Sequence, residues 1–127
     1  MFGLFGKRQE SPREGIRKDY DRVMDVMRRS PPAAQIAVGH SINLVNSMFV
    51  KRFGTIAAFQ TLPENERLGY IESLTKAEAA AAKEPPAAVA FALFKMWVAA
   101  ISTNDPEMIE YLSKGIAELS RKGDLGG

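Results

Sequence analysis

The chain has 127 residues, a formal net charge of +2, one histidine and no cysteine. That length holds one hydrophobic core and not two. The missing thiols exclude disulfides and thiolate metal sites, and a lone His40 excludes a multi-histidine metal centre. The first half is basic and the second mildly acidic, a polarity that can steer an association. It lacks the dense basic stripe that nucleic acid requires, so no nucleic-acid partner is expected.

Residues 1–10, MFGLFGKRQE, read as a flexible tail because two glycines break any helix. Phe2, Leu4 and Phe5 beside Lys7 and Arg8 form a short hydrophobic-basic element, suited to a partner groove or, weakly, a membrane surface. Its apolar run is too short for a signal-peptide core, and its bases follow that run instead of preceding it. With the absence of cysteine, this makes a cytoplasmic protein the expectation.

A first helix is expected from about Pro12 to Arg29, with Ser11 as its N-cap. Ile16, Tyr20, Val23 and Met27 give it one buried stripe; the remaining positions mix bases and acids and read as a solvated face. Ser30-Pro31-Pro32 ends it. A second helix runs from Pro32 at least to Phe53, with Val38, Ile42, Val45, Phe49, Phe53 and Ile56 inward, flanked by Leu44 and Met48. Its other side holds Gln35, Gly39, Asn43, Asn46 and Ser47. Gly54 either breaks the helix or only weakens it, with Ile56 and Phe59 inward beyond it.

A third helix begins at Pro63, carries acids in its first turn, and has Leu68, Ile71 and Leu74 as its stripe. Glu84-Pro85-Pro86 stops the alanine-rich stretch that follows. The segment 86–103 is apolar all round except for Lys95, shorter than the ~20 residues of a membrane span, and reads as the buried central helix. Asp105 and Pro106 open a last helix with Ile109, Leu112, Ile116 and Leu119 inward and Gly123 as its stop. No segment alternates as a strand does.

The expectation is an all-α, single-domain bundle of about five helices. Two helical hairpins and a C-terminal helix surround the segment 86–103. The domain spans 11–123, and 124–127 form a second flexible tail. Pro-Pro-Ala-Ala at 31–34 recurs at 85–88, which raises an internal duplication of the hairpin against the alternative that it is ordinary helix-start grammar.

No motif identifies a reaction, and no cofactor or metal is expected. His40, near Asn43, Leu44 and Ser47 at helical spacing, lacks a placed nucleophile and an orienting acid, and reads as a boundary histidine. Lys95 reads as a snorkelling lysine whose ammonium reaches water or a carboxylate. Phe91, Phe94, Met96 and Trp97 read as core.

The expected function is a non-enzymatic module for protein–protein interaction. Its contact is the uncharged face Gln35, Asn43, Asn46 and Ser47, bordered by Lys51 and Arg52. A different protein or a second copy, giving a homodimer, would sit there. The alternatives are an apolar-ligand domain between the second helix and the central one, with Met48 and Met96 as adaptable liners, and a membrane-surface binder using the N-terminal tail.

Overall fold

The computed structural model describes residues 11–126. Six helices follow one another: α1 (Pro12–Arg28), α2 (Pro32–Phe53), α3 (Ile56–Gln60), α4 (Glu64–Ala80), α5 (Pro85–Ser102) and α6 (Pro106–Gly126). No strand occurs among the described residues, and the fold is an all-α bundle.

α5 is the wedge between two cores. One of its faces, Ala90, Leu93 and Ala100, meets Tyr20, Met24 and Met27 of α1, Val38 and Ile42 of α2, and Met108, Leu112 and Leu119 of α6. Its other face, Phe94, Val98 and Ile101, meets Val45 and Phe49 of α2, Phe59 of α3, and Tyr70 and Leu74 of α4. Trp97 packs against both clusters, and its indole N–H donates to Ser113 Oγ at 3.0 Å. A helix apolar all round is what a site between two cores demands. By length and apolarity α5 would also suffice to cross a membrane. Here Ala90, Leu93, Phe94, Val98, Ala100 and Ile101 are buried among the other helices, and its one charge, Lys95, is paired: Nζ donates to Glu78 Oε1 at 3.1 Å.

Gly54, at φ 87°, breaks the chain after α2, a left-handed conformation that favours glycine. Thr55 then caps the single turn of α3 by accepting from Ala58 N at 3.0 Å. The bend turns Phe59 fully inward and leaves Ile56 facing solvent, against the expectation of an inward Ile56. Leu68 also faces solvent, because Tyr70 and Leu74 take the inward positions of α4. The last carbonyls of α5 are satisfied by neighbours: Gln60 Nε2 donates to Ile101 O at 3.2 Å, and the Arg67 guanidinium donates to Ser102 O. Arg67 thereby also places a cation at a helix C-terminus, where the dipole favours it.

α4 and α5 form the closely packed hairpin expected, whereas α1 and α2, joined by a short link, touch more lightly. α2 packs chiefly against α6, and α1 lies along α6 in the same direction, from Arg13 at Asp105 to Arg28 at Glu118, while sharing a core with Val38 and Ile42 of α2. The two Pro-Pro pairs are also used differently. Pro31 is the cap before α2, whereas Pro85 is already the first residue of α5. The packing therefore shows no repeated hairpin.

Gly123 is not a helix stop. α6 continues to Gly126, so 124–126 are helical and not a separate tail. The reason lies across the seam. A Cβ on Gly123 would stand 2.5 Å from Gly39 C, and one on Gly39 would stand 2.1 Å from Leu119 O. Both glycines are there for close backbone approach, not for a left-handed cap.

α1 is held by a capping box between Ser11 and Glu14 and by contacts to α6. Arg13 donates to Asp105 at 2.6 Å and to Glu107 at 3.0 Å, while Asp105 also accepts from Met108 N at 3.2 Å as the α6 cap. The Arg13 hydrogen bond, with the Met108 N–H, holds the Asp105 carboxyl below its ordinary 3.8. A carboxylate with a depressed folded pKa stabilises the fold fully above its unfolded value and loses that contribution as pH falls through the folded one. We expect an NMR titration of Asp105 to have its midpoint below 3.8 and Arg13→Ala to move it back up. An unchanged midpoint in the variant would remove Arg13 as the cause.

Candidate functional site

α2 is the helix that offers a surface. Between Pro32 and Val50 it carries no acid and no base other than His40, and its two cations, Lys51 and Arg52, stand in the last turn. Its inward side is Val38, Ile42, Val45 and Phe49. Apolar residues occur on both sides of the helix, so its amphipathicity is weak.

That weakness is why periodicity misplaces the outward face. Leu44 and Met48, expected to flank the core, are 67% and 64% exposed. They stand one turn apart, in line with exposed His40 and beside Ser47 and Lys51. Val50 is also exposed.

Two of the polar residues expected on that face lie elsewhere. Gln35 is buried: its Nε2 donates to Ser30 O at 3.0 Å and its Oε1 accepts from Lys122. Asn43 is half-buried in the α2–α6 seam, donating to Ser120 O at 3.2 Å and to Asp124 Oδ1 at 2.9 Å. Both groups are spent on α6, which the Gly39–Gly123 contact draws close to this side of α2. Asn46, Ser47, Lys51 and Arg52 are exposed. The Arg52 guanidinium lies 5.1 Å from the Phe53 ring centroid and 5.4 Å from that of Tyr70, within cation–π range. The surface signal that sequence reasoning missed was Gly39 itself. A glycine between Gln35 and Asn43 on one helix face marks a backbone contact, not a solvent face.

His40, Asn43, Leu44, Ser47, Gly123 and Asp124 line an open groove of about 410 Å³ between α2 and the end of α6. His40 and Asp124 both border it, but no serine or other nucleophile is hydrogen-bonded to His40 among the described residues. Among those residues no group of three His, Asp or Glu stands together to hold a metal. Lys95 is held by Glu78. Burial raises the Tyr70 hydroxyl pKa, with nearby Arg52 opposing, and burial likewise raises Tyr20 against its bond from Gly115 N–H. Both tyrosines belong to the cores. The element formed by Phe2, Leu4, Phe5, Lys7 and Arg8 lies outside the described residues.

Comparison of the chain with protein-family models, curated proteins and solved structures returns no match.

Proposed function

We propose that this protein is a non-enzymatic helical interaction module that docks a protein partner on the outward face of α2. The observation that carries the reading is the Leu44–Met48 pair: two large apolar side chains, one turn apart and about two-thirds exposed, on a helix without a single acid. Covering one such side chain is worth about 1.5–3 kcal/mol, enough for the pair to act as the centre of an interface. Lys51 and Arg52 at one end call for a partner with carboxylates there. A second copy's α2 supplies none, which favours a different protein over a homodimer on this face.

A photoreactive residue at Ser47, introduced in the native cell, tests the site. We expect an adduct with one protein that a probe at Lys76 on α4 does not give. The purified adduct partner should then bind the Leu44→Asp/Met48→Asp variant roughly 100-fold or more weakly, at ~1.4 kcal/mol per tenfold, with helix content unchanged. An equal adduct at both positions, or wild-type affinity in the variant, would overturn the reading.

One observation favours a second reading. Ile42, Asn46, Phe94, Trp97, Ser113 and Ile116 border a groove of about 200 Å³ where α2, α5 and α6 meet. Pockets for drug-sized ligands start at ~300 Å³, so an apolar ligand here would be a small fragment. Native mass spectrometry of the purified protein tests for one, and a bare protein mass counts against it.

A further inference from the structure

α1 is bound to the body as a ligand helix is bound to a groove. Tyr20, Met24 and Met27, at i, i+4 and i+7, enter the core formed with α5 and α6, the spacing of a helix-in-groove complex. The fit is specific. Tyr20 Oη accepts from Gly115 N at 2.7 Å, and a Cβ on Gly115 would stand 2.1 Å from that oxygen. Arg17 lies over the Tyr111 ring at 4.4 Å, and Tyr111 donates its hydroxyl to Asp21. At the two ends, Arg13 reaches Asp105 and Glu107, and Arg28 reaches Glu118 at 3.3 Å. The groove thus has an apolar floor and acids at its two ends, and its occupant is an amphipathic helix whose Arg13 and Arg28 meet those acids.

The polar contacts reach α6 or its cap residue and the apolar ones a core shared by α2, α5 and α6, and none requires α1 to belong to the same chain as that core. What ties α1 to its own body is the link Arg29-Ser30-Pro31. Pro31 is extended (φ −59°, ψ 152°), and each proline of the Pro31-Pro32 pair disfavours helix in the residue before it. Short hinges of this kind invite exchange of the element they carry. Gln35, the buried polar residue of the core, closes the link by donating to Ser30 O while Lys122 donates to it.

We propose that α1 exchanges between two copies of this chain, each α1 seated in the other's α5–α6 groove, with Arg29–Pro31 as hinge and Gln35 as the clasp that favours the closed form. The groove already fits this occupant in shape and charge, and exchange keeps every α1–α6 contact while changing only the link. The proposal is independent of the α2 surface.

The chain has no cysteine, so single ones can be placed cleanly. Arg28→Cys protein is mixed with Glu118→Cys protein at high concentration, incubated, and treated with a short bis-maleimide. Arg28 is exposed and Glu118 partly so, and a chain carrying both cysteines checks folding and reactivity. We expect a mixed-chain adduct joining positions 28 and 118. It should exceed the collision adduct of Arg28→Cys with Lys76→Cys at least several-fold. It should rise further with Gln35→Leu and fall when a four-residue Gly-Ser insertion after Ser30 relieves the hinge. Cross-linking confined to the doubly substituted chain, or a mixed adduct no greater than the collision control, overturns the proposal.

Discussion

Gly39→Ala is expected to destabilise the protein by about 3–5 kcal/mol in urea unfolding. The added Cβ would stand 2.1 Å from Leu119 O and 2.6 Å from Gly123 N. Both are backbone atoms, so no rotamer change relieves the clash and the two helices must move apart. Overpacking of this kind costs ~1–3 kcal/mol, occasionally more. Separation also strains the hydrogen bonds that cross the seam from Asn43 to Ser120 and Asp124 and from Lys122 to Gln35, each worth ~1 kcal/mol. Against this stands a gain in helix propensity of ~1 kcal/mol, which is too small to win. Gly69 supplies the control. It lies in α4 with nothing within 4 Å of a new Cβ, so Gly69→Ala should stabilise by up to ~1 kcal/mol. Two identical substitutions in helices should therefore shift the unfolding midpoint in opposite directions. A Gly39→Ala protein as stable as the parent would refute the close seam.

The second large effect is Phe49→Ala. Phe49 has the rings of Phe53, Phe59, Tyr70, Phe94 and Trp97 around it at centroid distances of 5.1–6.0 Å, within the range of favourable tilted and edge-on pairs. It belongs to the core that α2, α3, α4 and α5 share, and its ring touches a ring of each of the other three. Truncation of a buried phenylalanine costs ~3–5 kcal/mol, and the loss of five ring neighbours places this site at the upper end. Phe49→Leu should recover more than half of the loss. Thermal unfolding of the two variants measures both. A loss below ~2 kcal/mol for the alanine variant would mean that the neighbouring rings collapse into the space.

The helices were legible because their ends are written in local chemistry. Ser11 with Glu14, Pro32, Pro85 and Pro106 each open a helix where the sequence places one. The core of α5 was legible too, since Ala90, Leu93, Phe94, Val98 and Ile101 leave no polar face to expose. What local pattern does not encode is which side of α2 meets α6. With apolar residues at Leu44 and Met48 as well as at Val38, Ile42 and Val45, the period admits two orientations. The choice falls to a pair of glycines 84 positions apart in the sequence, Gly39 and Gly123, and to the polar partners that Asn43 and Gln35 find on α6. The partner of α1 was hidden for the same reason: Tyr20 needs Gly115, and neither residue announces the other. Of the candidate surface, Asn46, Ser47, Lys51 and Arg52 were readable as exposed; the apolar pair at its centre was not.

The position of Trp97 makes the molecule its own gauge. It is the only tryptophan, and it borders both clusters that α5 separates. Indole emission therefore samples the α1/α6 layer and the α3/α4 layer at once, through one chromophore fixed by Ser113. If the two layers melt together, fluorescence and far-ultraviolet dichroism trace a single superimposable transition. If one layer loosens first, the emission maximum moves while the helical signal stays.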